Sequence, residues 1–176
     1  MSPTTPTTTR TLPTFRQHLL DTVEREGAKT MRVLRAYPSD QWELRPHSKS
    51  KTARELAFAF VMEQKAMQTV MTTGFDFSKP LSWPAPPESG DAVISALEET
   101  RAKTAELLRG LSDEELARGT PFMAGPGKLG ELPVHEILWS MTFDQIHHRG
   151  QFSIYLRMAG GKVPSIYGPS ADEPWR

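Results

Sequence analysis

Apolar residues recur three or four positions apart along four separate stretches of this 176-residue chain. That period is the period of an α-helix face, so the chain has four apolar stripes to bury against one another. The first stretch covers residues 14–37, with Phe15, Leu19, Val23, Gly27, Met31 (or Thr30), Leu34 and Tyr37 on one face. Pro38 closes it, because proline disfavours helical geometry in the residue before it. The second opens at Thr52-Ala53-Arg54-Glu55, a capping box in which the threonine accepts from a free N–H and the glutamate reaches back. Its stripe is Leu56, Phe60, Glu63, Met67 and Val70, and Gly74 ends it. The third begins between Ser89 and Asp91 and turns Val93, Leu97, Thr104 and Leu108 inward. The fourth opens with Pro133, a favoured first-turn residue, and stops at Gly160-Gly161.

The connections are long. Pro80, Pro84, Pro86 and Pro87 rule out a regular element between the second and third stretches. Ser112 to Glu115 repeats the capping pattern and predicts a short helical turn, and the glycine-rich residues 119–130 read as a loop or a small hairpin. With no strand pattern longer than a few residues, the expected fold is all-α: a four-helix bundle with long connecting loops, whose connectivity need not be simple up-and-down. Residues 1–12, rich in threonine and proline, are expected to form a disordered tail, leaving residues 13–176 as one domain.

Composition excludes several classes of function. No apolar run approaches the roughly 18–20 residues that cross a bilayer, and the N-terminus lacks the apolar core of a signal peptide. Lysine plus arginine equals aspartate plus glutamate, 21 against 21, so nothing draws the chain to a phosphate backbone and no nucleic-acid partner is expected. Cysteine is absent, which excludes a thiolate ligand or nucleophile and fits a cytoplasmic location. No Gly-rich phosphate loop and no G-x-S-x-G elbow occurs.

Chemistry concentrates on the fourth stretch. Its stripe runs Ile137, Met141, Asp144, His148, Phe152 and Tyr155, so an acid and a base interrupt an apolar seam one turn apart. Glu63 interrupts the second stripe in the same way. A carboxylate in a core costs several kcal/mol unless it is paired or holds a metal. Two carboxylates and an imidazole suit a divalent ion such as zinc, nickel, iron or manganese. The competing reading pairs Asp144 with His148 as an ion pair and gives Glu63 to Arg149, to a backbone group or to the edge of the stripe. His147 lies about 100° around the helix from His148 and cannot easily share its ion. His18, His47 and His135 read as surface or hydrogen-bonded structural residues, and the aromatics Trp83 and Trp175 as candidates for a contact or a pocket mouth.

His147-His148-Arg149-Gly150-Gln151, followed by Tyr155-Leu156-Arg157 and Gly160, resembles the signature on the last helix of the DinB superfamily. The approach from Arg45-Pro46 to Leu56 and the run Val163 to Gly168 are similar to family members too, so the resemblance spans residues 14–168. It implies a four-helix bundle of DinB/YfiT type, commonly a homodimer, often with a divalent metal held by three histidines. Its characterised members include transferases and isomerases that use a low-molecular-weight thiol.

Here Ala59 stands at the helix-two histidine position and Asp144 at the first helix-four position, while His148 is kept. The expected metal set is therefore Glu63, Asp144 and His148, in a thiol-dependent transferase or a hydrolase acting on a small molecule. The alternative is a non-catalytic, metal-free dimer with a stress-response or small-ligand-binding role. No residue is assigned to catalysis itself.

Overall fold

Thr14, Thr52, Ser89 and Ser112 each stand just before a helix, and each side chain accepts a hydrogen bond from a backbone N–H of the first turn. In a computed structural model describing residues 12–80 and 82–175, these caps open α1 (Phe15–Arg35), α2 (Ala53–Met71), α3 (Gly90–Gly110) and the single turn α4 (Asp113–Ala117). At Thr52 and Ser112 the box is complete, with Glu55 and Glu115 accepting in return from the cap N–H groups. α5 (Val134–Met158) has no side-chain cap; Pro133 precedes its first turn rather than occupying it. The tail expected over residues 1–12 lies outside the described residues, Leu12 excepted.

An all-α fold is not what the chain adopts. Residues 119–133 form an antiparallel hairpin, β1 (Gly119–Gly125) and β2 (Lys128–Pro133), with an irregularity between Met123 and Gly125. Gly127 turns it at φ 68°, a left-handed conformation that glycine adopts without steric cost. The two strands hold too many glycines and prolines to show a period-2 pattern, so the sequence left a loop and a hairpin equally open. Phe122 and Leu132 pack the hairpin onto the bundle core.

Around the bundle α1 packs on α3, α3 on α2, α2 on α5, and α5 on α1. α1 and α2 therefore face each other across a diagonal, as do α3 and α5. Long connections are what make this order possible, since consecutive helices need not be neighbours. Among the described residues no helix is long and apolar enough to cross a membrane.

The core falls into two apolar clusters. One gathers Leu34, Tyr37, Trp42, Phe60, Leu97 and Phe152; the other Leu19, Val23, Met67, Leu108, Ile137 and Leu138. Between them every long helix contributes buried polar groups: Glu26 and Thr30 from α1, Gln64 from α2, Thr104 from α3, Gln145 and Arg149 from α5. These are joined to one another. Gln64 donates to Gln145 Oε1 at 3.0 Å, and Thr104 donates to the Gln64 carbonyl at 3.4 Å. Arg149, only 2% exposed, donates to Glu26 Oε2 at 2.7 Å and to the Glu26 carbonyl at 2.9 Å.

That layer corrects two expected stripes. On α5 the buried polar positions are Gln145 and Arg149, one residue beyond Asp144 and His148. One residue is about 100° of helix, which puts Asp144 and His148 at the edge of the buried face. Adjacent apolar pairs at Ile137-Leu138 and Tyr155-Leu156 fit either stripe, so periodicity did not separate them. Likewise Gln64 enters the core and Glu63 lies at its margin, while Phe15, expected inside, is 52% exposed.

Candidate metal centre

Glu63 projects from the middle of α2, and Asp144 and His148 lie one turn apart on the facing side of α5. One ligand atom from each lies within 4.8 Å of the others. His148 Nδ1 and Glu63 Oε1 are hydrogen-bonded at 2.5 Å, both side chains being largely buried. Asp144 is exposed and accepts no hydrogen bond among the described residues. Of the two pairings open in the sequence, neither forms: His148 pairs with Glu63 rather than Asp144, and Arg149 with Glu26 rather than Glu63.

Burial holds the Glu63 carboxyl above the usual carboxylate range, against the opposing pull of its His148 hydrogen bond. The same hydrogen bond raises His148 above the ordinary histidine value, against burial. Glu63 Oε2 is buried and has no hydrogen-bond partner among the described residues. An orphaned carboxylate oxygen in a protein interior normally has a partner, such as water, a cation or a ligand.

These residues fit a divalent ion. Ligands around one small ion stand up to about 4 Å apart, so a modest side-chain adjustment closes the set. Three protein ligands leave coordination positions open, the pattern of catalytic rather than structural sites. Ala59, one turn before Glu63, also faces this space and contributes no ligand.

The cluster lies at one end of a cavity of about 830 Å³ between α2, α5, the hairpin and the loop that follows α2. Trp83 lies on its mouth, whereas Trp175 donates to Ser165 Oγ at 2.9 Å in the C-terminal segment. The remaining histidines serve structure or surface. His135 Nδ1 bonds the Leu116 carbonyl at 2.9 Å, His47 Nδ1 accepts from Lys49 N–H at 3.1 Å, His18 packs near the Trp139 ring, and exposed His147 meets Gln151. Sequence reasoning missed the Glu26–Arg149 pair, whose signal was an arginine at helical spacing from Gln145 and Phe152. It also missed the aromatic loop residues Phe75 and Phe77 that wall the cavity.

A four-helix bundle with non-sequential packing, a hairpin before its last helix and a cavity between its second and last long helices defines the class of fold. The chain belongs to the DinB family, whose model matches residues 5–175. It is 26% identical over 159 residues to YrdA, an uncharacterised protein of Bacillus subtilis strain 168, covering 89% of this chain and 90% of YrdA. A DinB-like protein from Bacillus cereus ATCC 10987 superposes with a TM-score of 0.71 at 20% identity, over 86% of this chain and 97% of the other. YfiT from Bacillus subtilis, described as a probable metal-dependent hydrolase with an unusual four-helix bundle topology, superposes with a TM-score of 0.62 at 14% identity, over 89% of this chain and 95% of YfiT. At these identities the likeness to solved structures is one of fold.

Proposed function

We propose that the chain is a divalent-metal-dependent enzyme acting on a small molecule, of hydrolase or thiol-dependent transferase type, with Glu63, Asp144 and His148 as metal ligands. The observation that carries this reading is the buried Glu63 Oε2, without a partner among the described residues, beside two further ligand-type side chains in the lining of a cavity. A zinc, nickel, iron or manganese ion there would supply a Lewis acid that polarises a substrate oxygen and lowers the pKa of water or of a thiol. Glu63 orients the imidazole through Oε1 while Oε2 remains free for the ion. Exposed Asp144 closes the set from the solvent side, and the apolar walls exclude water from the rest of the cavity.

Elemental analysis of untagged protein prepared without chelator tests this directly. About one metal per chain is expected in the native protein, and a loss of tenfold or more in affinity in His148→Ala and in Glu63→Ala, because even a residue that only orients a ligand costs a metal site about that much when it is removed. Native protein without metal, and with unchanged thermal stability on adding zinc, nickel or manganese, would overturn the reading.

One observation favours a second reading, a metal-free dimer that binds a small ligand: His148 Nδ1 and Glu63 Oε1 are already hydrogen-bonded to each other. In that case metal is absent throughout and His148→Ala lowers stability instead. A homodimer belongs to both readings, and the exposed Ile154 and Met158 on α5 support it.

A further inference from the structure

The cavity has two chemically distinct ends. Its body is walled by Phe75, Phe77 and Phe122, whose rings pack on one another at 5.7, 5.9 and 6.5 Å between centroids, together with Met62 and Phe143. Phe143 and Trp83 are 60% and 52% exposed, so large rings are held open to solvent on the rim of a concave space. Exposed rings gathered around one cavity mark a place where an apolar surface is to be covered. The volume of about 830 Å³ lies within the range of sites that enclose a small organic ligand.

The polar groups converge at the other end, beside Glu63, Asp144 and His148. Two more charged side chains reach this end, and they differ in one respect. Glu55 is occupied: it accepts from Thr52 N–H at 2.7 Å in the α2 capping box and pairs with Arg45. Lys51 makes no ion pair among the described residues, and it lines the cavity together with Glu63 and His148. Lys51 is the cation of this lining that no carboxylate pairs among the described residues.

We propose that the cavity takes a small molecule with a flat, ring-bearing apolar body and one anionic head group. The body lies against the Phe75–Phe77–Phe122 wall, and the head meets Lys51 beside the Glu63–Asp144–His148 cluster. This inference rests on the cavity being the substrate site of the enzyme proposed above, and it names the substrate class. The wall carries most of the affinity, because rings buried on rings gain area and stacking together. Lys51 sets the orientation, bringing the functional group next to the head within reach of the ligand set.

Two dyes that differ only by a sulfonate group test it: 8-anilinonaphthalene-1-sulfonate and the uncharged N-phenyl-1-naphthylamine. Native protein is expected to bind both with one site and enhanced, blue-shifted emission. Ala59→Phe fills the cavity from α2 and is expected to weaken both by about tenfold or more. Trp83→Ala removes a wall at the exposed mouth, where folding is not at stake, and weakens both as well. Lys51→Gln is expected to weaken the sulfonate by about threefold, the size of a solvent-exposed ion pair, and to leave the neutral dye unchanged.

Absence of binding to native protein overturns the proposal. So does binding that survives both Ala59→Phe and Trp83→Ala, which would place the dye elsewhere. Equal effects of Lys51→Gln on the two dyes remove the anionic head. Metal content measured on the same samples separates the two readings: dye binding without metal overturns the ligand set alone, and metal without dye binding overturns the substrate class alone.

Discussion

Glu26 is buried in the bundle, at 6% exposure, and its carboxylate accepts hydrogen bonds from Lys29, Arg149 and Tyr167. Burial alone would raise its pKa, but hydrogen bonds from Tyr167, Arg149 and Lys29 outweigh it and lower the value from 4.5 to about 2. A carboxylate whose folded pKa lies below its unfolded one stabilises the fold fully above the unfolded value and loses that contribution as pH falls toward the folded one. Glu26 is therefore expected to add roughly 3 kcal/mol at neutral pH, lost between about pH 5 and pH 2. Urea titrations across that range should show a shallower acid slope in Glu26→Gln than in the native chain. Equal slopes would assign the acid sensitivity to other carboxylates. Tyr167 makes this pair long-range, since its hydroxyl reaches both Glu26 and Arg149 and so fixes the C-terminal segment to the bundle. Asp172 with Arg157 and Glu173 with Arg32 fasten the same segment further along.

The helices illustrate what local chemistry can and cannot announce. Thr52 with Glu55 and Ser112 with Glu115 were readable because capping is a three-residue event, decided by side chains close in sequence. The face that α5 buries was not, because it depends on α1 and α2 approaching from two sides, and no residue within α5 records that. The sequence could not choose the hairpin over a loop for a related reason: strands that pack with one face on a bundle need only Thr120, Phe122 and Leu132 facing in, too few for a pattern. Glycines sort the helices by the same logic. A Cβ at Gly90 would fall within 1.8 Å of the buried Trp42 ring, so Gly90→Ala should destabilise the chain by about 1–3 kcal/mol, as overpacking does. Gly150 lies inside α5 with nothing within 4 Å of such an atom, and Gly150→Ala should stabilise by up to about 1 kcal/mol through helix propensity. Paired denaturant melts of the two variants, moving in opposite directions, would check both.

For the whole molecule, the four stripes sufficed for a helical bundle, and Glu63, Asp144 and His148 stood out as polar residues along the stripes although they lie at the margins of the buried faces. What brought Glu63 onto His148 rather than Asp144 onto His148 is the packing of α2 on α5, which spacing along one helix cannot encode. The same scale decides assembly. Ile154 and Met158 are 61% and 53% exposed on α5, and light scattering is expected to give twice the 19.7 kDa chain mass. Ile154→Asp should then return the single-chain mass; a native protein already at that mass would end the dimer proposal. The buried polar layer has a last consequence. Gln64 and Gln145 bond across the core while their neighbours, Glu63 on α2 and Asp144 on α5, face the cavity. Sliding α5 along α2 by one residue, about 1.5 Å, would break that amide pair and strip Arg149 of Glu26 while it moved His148 off Glu63. The interior thus acts as a vernier for the cavity: the alignment of the site is read off a scale engraved in the core, and a substitution far from any ligand can put it out of true.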